Sequence, residues 1–197
     1  MVVVDDGSPD GTADLAETLG RSHPVRVVRR SGKLGLASAV VAGFAAARGD
    51  VLLVMDADLS HPPEVAPRLL DAIDGGAELA VGSRYVAGGG TEDWPLRRRI
   101  VSRVACLIGS VFVPVRDSTS GFFTLRRSVI DGVTLNPIGF KIGFEVMARG
   151  HYKRAVEVPY VFRDRELGKS KFGQREIWQY VVQLGQIARD RVYGWLR

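Results

Sequence analysis

Hydrophobic positions along the chain fall into short β-branched runs separated by stretches with helical spacing. Val2, Val3 and Val4 lead directly into Asp5-Asp6-Gly7-Ser8-Pro9-Asp10-Gly11, a strand and its exit turn. Ser8 and Pro9 have the chemistry of a helix N-cap and first helical residue. Ala13, Leu15, Ala16 and Leu19 then continue a helix to Gly20. Val25-Arg26-Val27-Val28 reads as the next strand, residues 32–35 as a loop, and residues 36–48 as an alanine-rich helix. Residues 51–55 are wholly apolar, the pattern of a central parallel strand covered on both faces. Pro62-Pro63 opens a helix that ends near Gly75-Gly76, and Leu79-Ala80-Val81 is another short strand.

After Tyr85 the rhythm changes. Gly88-Gly89-Gly90 is a loop, and residues 94–113 form a helix that is basic first and apolar afterwards. Val156-Glu157-Val158 before Pro159 is a later strand, and residues 176–196 form a terminal helix. Strands alternating with helices imply an α/β fold with a mainly parallel sheet. There is no internal repeat, low-complexity segment or linker, so residues 1–197 are read as a single domain with a C-terminal helix over 174–197.

Composition narrows this little. The chain has 197 residues, 46% hydrophobic and 25% charged, with formal charge +5. A pI near 9.7 suits anionic partners. No basic stripe with interleaved aromatics accompanies it, so nucleic acid is not expected as a partner. The single cysteine, Cys106, excludes a disulfide framework, favours a cytosolic side, and reads as a small buried hydrophobe. The longest apolar stretch, 104–115, contains Gly109, Ser110 and Pro114 and is shorter than the roughly 20 residues that cross a bilayer. The chain is expected to lie on a membrane rather than span it.

The chemistry sits at strand ends. Asp56-Ala57-Asp58 follows an apolar strand immediately, where ligands of open α/β sheets bind. Two carboxylates there suit a hard cation, Mg²⁺ or Mn²⁺, able to grip a diphosphate; a solvated acidic loop is the plainer reading. Asp5 and Asp6 end another strand, with Asx-turn and capping chemistry as their ordinary use. None of His23, His61 and His151 has paired metal-ligand spacing; His61 is placed beside the acidic motif and the other two at the surface. Trp94, Trp178 and Trp195 are read as interface anchors or core residues.

Taken in order, these segments resemble family 2 glycosyltransferases of the polyprenyl-phosphate mannose synthase type. Residues 3–12, beginning Val3-Val4-Asp5-Asp6-Gly7-Ser8, are similar to that family's nucleotide-binding segment. Arg30-Ser31-Gly32-Lys33-Leu34-Gly35 is similar to the loop after it, and Asp56-Ala57-Asp58-Leu59-Ser60-His61-Pro62 to its metal motif. Gly82-Ser83-Arg84-Tyr85, Asp117-Ser118-Thr119-Ser120-Gly121-Phe122 and Arg165-Glu166-Leu167-Gly168-Lys169-Ser170-Lys171 follow in the family's order.

The resemblance implies a GT-A type, Rossmann-like fold and inverting transfer of a sugar to a polyprenyl phosphate at the cytoplasmic side of a membrane. The implied donor is GDP-mannose, with UDP-glucose the alternative. It also implies that Asp5, Asp6, Lys33, Asp56 and Asp58 face the nucleotide sugar, the last two through the metal. Arg84, Arg98, Arg165 and Lys171 would hold the acceptor phosphate, and Asp117 would lie near the reaction centre. Residues 97–99 also read as a solvated basic helix end, Asp117 also as a turn cap, and 97–115 as either a headgroup-facing or a buried helix. Family members begin with one further strand and loop, so this chain is expected to carry an unpaired site in its sheet and a reduced nucleotide pocket. A non-catalytic remnant of the family is the remaining reading.

Overall fold

The structure is a computed structural model that describes residues 1–136, 138–164 and 173–195. Its elements run β1 (Val2–Asp5), α1 (Thr12–Leu19), β2 (Arg26–Arg29), α2 (Leu36–Ala46), β3 (Val51–Val54), a 3₁₀ turn (Pro63–Val65) and α3 (Ala66–Asp74). After these come β4 (Leu79–Ser83), β5 (Gly90–Thr91), α4 (Leu96–Gly109), β6 (Phe123–Arg126), α5 (Ile142–Arg149), β7 (Ala155–Pro159), β8 (Val161–Phe162) and α6 (Gln174–Trp195).

The main sheet has the order β3-β6-β4-β7. β6 is antiparallel to both neighbours, whereas β4 and β7 are parallel, so β3, β4 and β7 all point one way. The expected parallel character therefore belongs to these three strands, with one reversed strand inserted. Alternation along β3 explains its unbroken apolarity. Leu52 and Val54 join a core built from α2, α5 and α6, while Val51 and Leu53 join a second core around Leu69 and Ile73 of α3. The strand is covered on both faces as its composition implies. It is not central, however: among the described residues β3 pairs only with β6, and β1 pairs only with β2 in a separate two-stranded sheet. The strands thus form three separate sheets, and among the described residues β1 and β3 each leave one edge unpaired.

Two local expectations need correction. Helix α1 begins at Thr12, not near Ser8-Pro9, because Gly11 takes a left-handed conformation with φ 79° that ends the turn. Asp10 does the nearby capping, accepting from the Thr12 amide at 3.1 Å. The amides of Gly7 and Ser8 are drawn instead to Asp5 Oδ1. Helix α4 buries only Cys106 and Gly109 fully. Leu96, Ile100, Val104, Leu107 and Val111 form an exposed stripe at helical spacing, so the buried-helix reading of 97–115 fails for that face. Helix α6 closes the first core with Tyr180 and Ile187, and its buried Gln183 donates to Glu145 of α5 at 3.0 Å.

Candidate active site

Because β3 and β4 are both antiparallel to β6, their carboxyl ends emerge at the same sheet edge. The loop after β3 carries Asp56 and Asp58, and β4 ends at Ser83-Arg84. Leu59, between the acidic pair and Ser60, is held at φ 61°, a conformation that costs a non-glycine residue energy and concentrates at functional loops. The loop is pinned at both ends. Asp58 Oδ1 accepts from the amide and hydroxyl of Ser60, at 3.1 and 2.6 Å. The Asp56 amide donates to His61 Nδ1 at 3.0 Å.

His61 is fully buried, stacked on Phe122 at 5.0 Å and edge-on to Tyr160 and Phe162. Burial pushes its pKa down to about 4, with Asp58 opposing and Arg84 reinforcing the shift. A neutral ring whose Nδ1 accepts an amide bond holds the loop and is not a proton donor at that atom. His61 therefore backs the acidic motif rather than opening onto solvent, while His23 and His151 are exposed as expected.

The second part of the site adjoins Phe162. Arg84 and Asp117, 33 residues apart in sequence, form a buried bidentate pair: Nε donates to Oδ2 at 2.8 Å and Nη2 to Oδ1 at 2.7 Å. The Arg84 amide also donates to Oδ2, and Nη2 reaches Thr119 Oγ1. Burial pushes the Asp117 carboxyl up, but the Arg84 charge and its hydrogen bonds outweigh this and hold it below the usual range. Asp117 is not a turn cap of the ordinary kind; it fixes the guanidinium of Arg84.

Asp117 is itself fixed by a residue that local sequence reading passed over. Glu157 of β7 accepts from the amides of Arg116 and Asp117, at 2.9 and 3.0 Å. Arg98 of α4 bonds Asp164 at 2.8 Å and lies with its guanidinium carbon 3.8 Å from the Trp94 ring centroid. Arg84 shares that ring and Phe162, at 5.4 and 5.9 Å. Trp94 is thus a partner of two arginines. Cys106 is buried as expected, and burial raises its pKa. Lys141, also unremarked in the sequence, sits over Phe140 and Tyr180, and burial pushes it down to about 8.

On the remaining strand end, Asp6 takes hydrogen bonds from Arg30 and from the amides of Leu34 and Gly35. It shapes the loop that presents Lys33, which is exposed. Asp5 and Asp6 therefore do the structural work their turn chemistry suggested and leave Lys33 as the open group of this segment. Arg165 and Lys171 lie outside the described residues.

Among the described residues no cluster of three His, Cys, Asp or Glu side chains is arranged to hold a metal ion. Two carboxylates on one loop, Asp58 exposed and Asp56 partly so, still fit Mg²⁺ or Mn²⁺, which commonly take one or two carboxylates and fill the other positions with substrate phosphate and water.

Comparison with known proteins bears on the same residues. The family model described as Glycosyl transferase family 2 matches residues 1–149. The chain is 49% identical over 193 residues to a dolichol-phosphate mannosyltransferase of Pyrococcus furiosus, covering 96% of this chain and 55% of that protein. It is 43% identical over 216 residues to a polyprenol monophosphomannose synthase of Mycolicibacterium smegmatis, covering 100% of this chain and 80% of that one. Among solved structures, a mannosyltransferase from Pyrobaculum calidifontis in complex with GDP-Man and Mn²⁺ superposes with TM-score 0.57 at 18% identity, over 96% of this chain and 54% of that one. Glucosyl-3-phosphoglycerate synthase from Mycobacterium tuberculosis, with Mn²⁺ and UDP-glucose, gives TM-score 0.58 at 20% identity, over 93% and 68%. At those identities the solved structures establish a shared fold and no more.

Proposed function

The chain belongs to glycosyl transferase family 2, and on that premise we propose that it transfers mannose from GDP-mannose to a polyprenyl phosphate. It spans 55% of the length of the Pyrococcus relative. The observation that carries the reading is the meeting of an acidic loop and an arginine cluster at one aromatic ring. His61, behind the acidic loop, contacts Phe162 at 6.0 Å between ring centroids. Arg84 and Arg98 contact the same ring, each at 5.9 Å. A donor diphosphate and an acceptor phosphate, both anionic, need separate cationic sites a short distance apart, and this layout supports both.

Asp56 and Asp58 would hold a divalent cation, which when bound offsets charge on the departing diphosphate. Lys33, on the loop shaped by Asp6, faces the donor in this reading. Arg84 and Arg98 hold the acceptor phosphate, with Arg165 and Lys171 proposed alongside them. An oxygen of that phosphate attacks the anomeric carbon; the bond from this carbon to the diphosphate oxygen breaks, and nucleoside diphosphate leaves with inversion. A phosphate monoester with a second pKa near about 6 is already ionised at neutral pH, so no general base is required. The state of Asp117 supports this, since its oxygens are engaged by Arg84 and it acts by positioning. Catalysis then rests on orientation and electrostatics.

The exposed stripe on α4, flanked by Arg97, Arg99 and Arg103, lies against the headgroup region where a lipid acceptor is met. No helix among the described residues is long and apolar enough to cross a membrane.

The test is transfer of labelled mannose from GDP-mannose to polyprenyl phosphate in vesicles, with UDP-glucose as the competing donor. Calorimetry of GDP-mannose with Mn²⁺ runs beside it. Asp58→Asn should abolish the metal-dependent part of donor binding and leave the melting temperature nearly unchanged. Metal-dependent binding at wild-type strength in that variant, or no transfer by the wild type with either donor, defeats the proposal.

A further inference from the structure

Trp94 lies where three independent features converge. The first is the backbone that delivers it. β5 pairs with β8 in the register Gly90↔Val161 and Thr91↔Phe162, and the Glu92 amide extends the ladder to the Phe162 carbonyl at 2.9 Å. Asp93 then turns the chain at φ 55°, a left-handed conformation in a non-glycine residue, immediately before Trp94. The ladder and the turn set the indole edge-on to Phe162, 5.2 Å between centroids.

The second feature is the pair of cations on the ring. Arg98, in the first turn of α4, packs at 3.8 Å from the centroid of Trp94, which precedes that helix; Arg84 arrives from the end of β4 at 5.4 Å. Each guanidinium is also held by its own carboxylate, Asp117 for Arg84 and Asp164 for Arg98. The carboxylates offset the repulsion between the two like charges, so both guanidinium groups stay on one ring.

The third feature is the indole N–H. Trp94 Nε1 is buried and, among the described residues, has no hydrogen-bond partner. Buried donors are almost always paired, and those that are not call for an explanation such as a missing ligand. Simple packing explains the ring but not a buried N–H left unpaired beside two arginines.

We propose that Trp94 completes the acceptor-phosphate subsite: its ring positions Arg84 and Arg98, and its N–H donates to an oxygen of the bound phosphate. This inference rests on the acceptor reading of the two arginines given above. A phosphate oxygen bridging the guanidinium groups would satisfy the N–H at the same time, so one anion would engage both the cation pair and the unpaired donor.

The experiment separates ring from N–H. Trp94→Phe keeps an aromatic face and removes the donor; Trp94→Leu removes both. With Trp94→Phe, KM for polyprenyl phosphate should rise on the order of tenfold, the effect of one lost hydrogen bond to a charged group, while KM for GDP-mannose stays unchanged. Trp94→Leu should raise acceptor KM further. A second readout needs no turnover. In a Trp178→Phe/Trp195→Phe background Trp94 is the sole tryptophan, and its fluorescence should respond to farnesyl phosphate but not to farnesol. Unchanged acceptor KM in Trp94→Phe overturns the donor role, and unchanged KM in both variants overturns the proposal. If the wild type transfers no mannose, the functional reading fails, yet the fluorescence response still decides whether Trp94 meets a phosphate. An equal response to farnesol rules against it.

Discussion

Replacing Asp117 by Asn tests the centre of the site most directly. The substitution keeps the shape of the side chain and removes its charge. In the native protein Asp117 is fully buried and receives the amide, Nε and Nη2 of Arg84. Asn offers one oxygen in place of two and turns an NH₂ group toward existing donors. The larger loss is electrostatic, because Arg84, 8% exposed, keeps its charge without a counter-ion. Removing one member of a buried pair typically costs about 3–5 kcal/mol. In a chain of this size that lowers Tm by roughly 10 °C or more.

Urea denaturation gives the stability change, and a cycle with Arg84→Met isolates the pair. The double variant should be less destabilised than the two single losses added together, since it leaves no unpaired charge behind. The acid limb supplies a further check. The folded pKa of Asp117 lies below its unfolded value, so the pair stabilises fully above about pH 4 and loses this as pH falls through the folded value. Asp117→Asn should flatten that part of the pH profile. A loss under about 1 kcal/mol, or strictly additive single effects, would refute the assignment of Arg84 and Asp117 as one unit.

Two other outcomes are expected. His61 is 2% exposed and its pKa falls from 6.5 to about 4, so the unfolded chain binds a proton that the native state refuses between these values. Stability should therefore drop by about 3 kcal/mol as pH falls across that window, and His61→Gln should show a shallower slope in urea midpoints; equal slopes would count against it. Gly109→Ala should destabilise by about 1–3 kcal/mol, because an added Cβ would stand 2.1 Å from Ser118 Oγ and 2.7 Å from the Tyr180 hydroxyl. A thermal melt at the wild-type temperature would show that α4 has room to shift.

Sequence alone determined the features that depend on neighbouring residues. Apolar runs of four or five residues ending in acidic turns marked β1 and β3, and the ordered motifs identified the family and an α/β fold. Helical spacing located α4, and its run of arginines left an anion site and a solvated basic helix end both open. Each of these is a matter of local period or short motif, which backbone geometry ties to a few residues either side. Pairings over long separations emerged from the folded chain instead. The reversal of β6 between β3 and β4 cannot be read from Phe123-Thr124-Leu125-Arg126, because strand direction is set by chain path and not by composition. Asp117 looked equally suited to capping a turn or serving a substrate until folding brought Arg84 onto both its oxygens. Glu157 read as an ordinary polar position on a strand, and its hold on the amides of Arg116 and Asp117 exists only because β7 lies beside β4. Trp94 read as an anchor or as core. A buried N–H without a partner is a property of everything packed around it, and no stretch of sequence near position 94 encodes it.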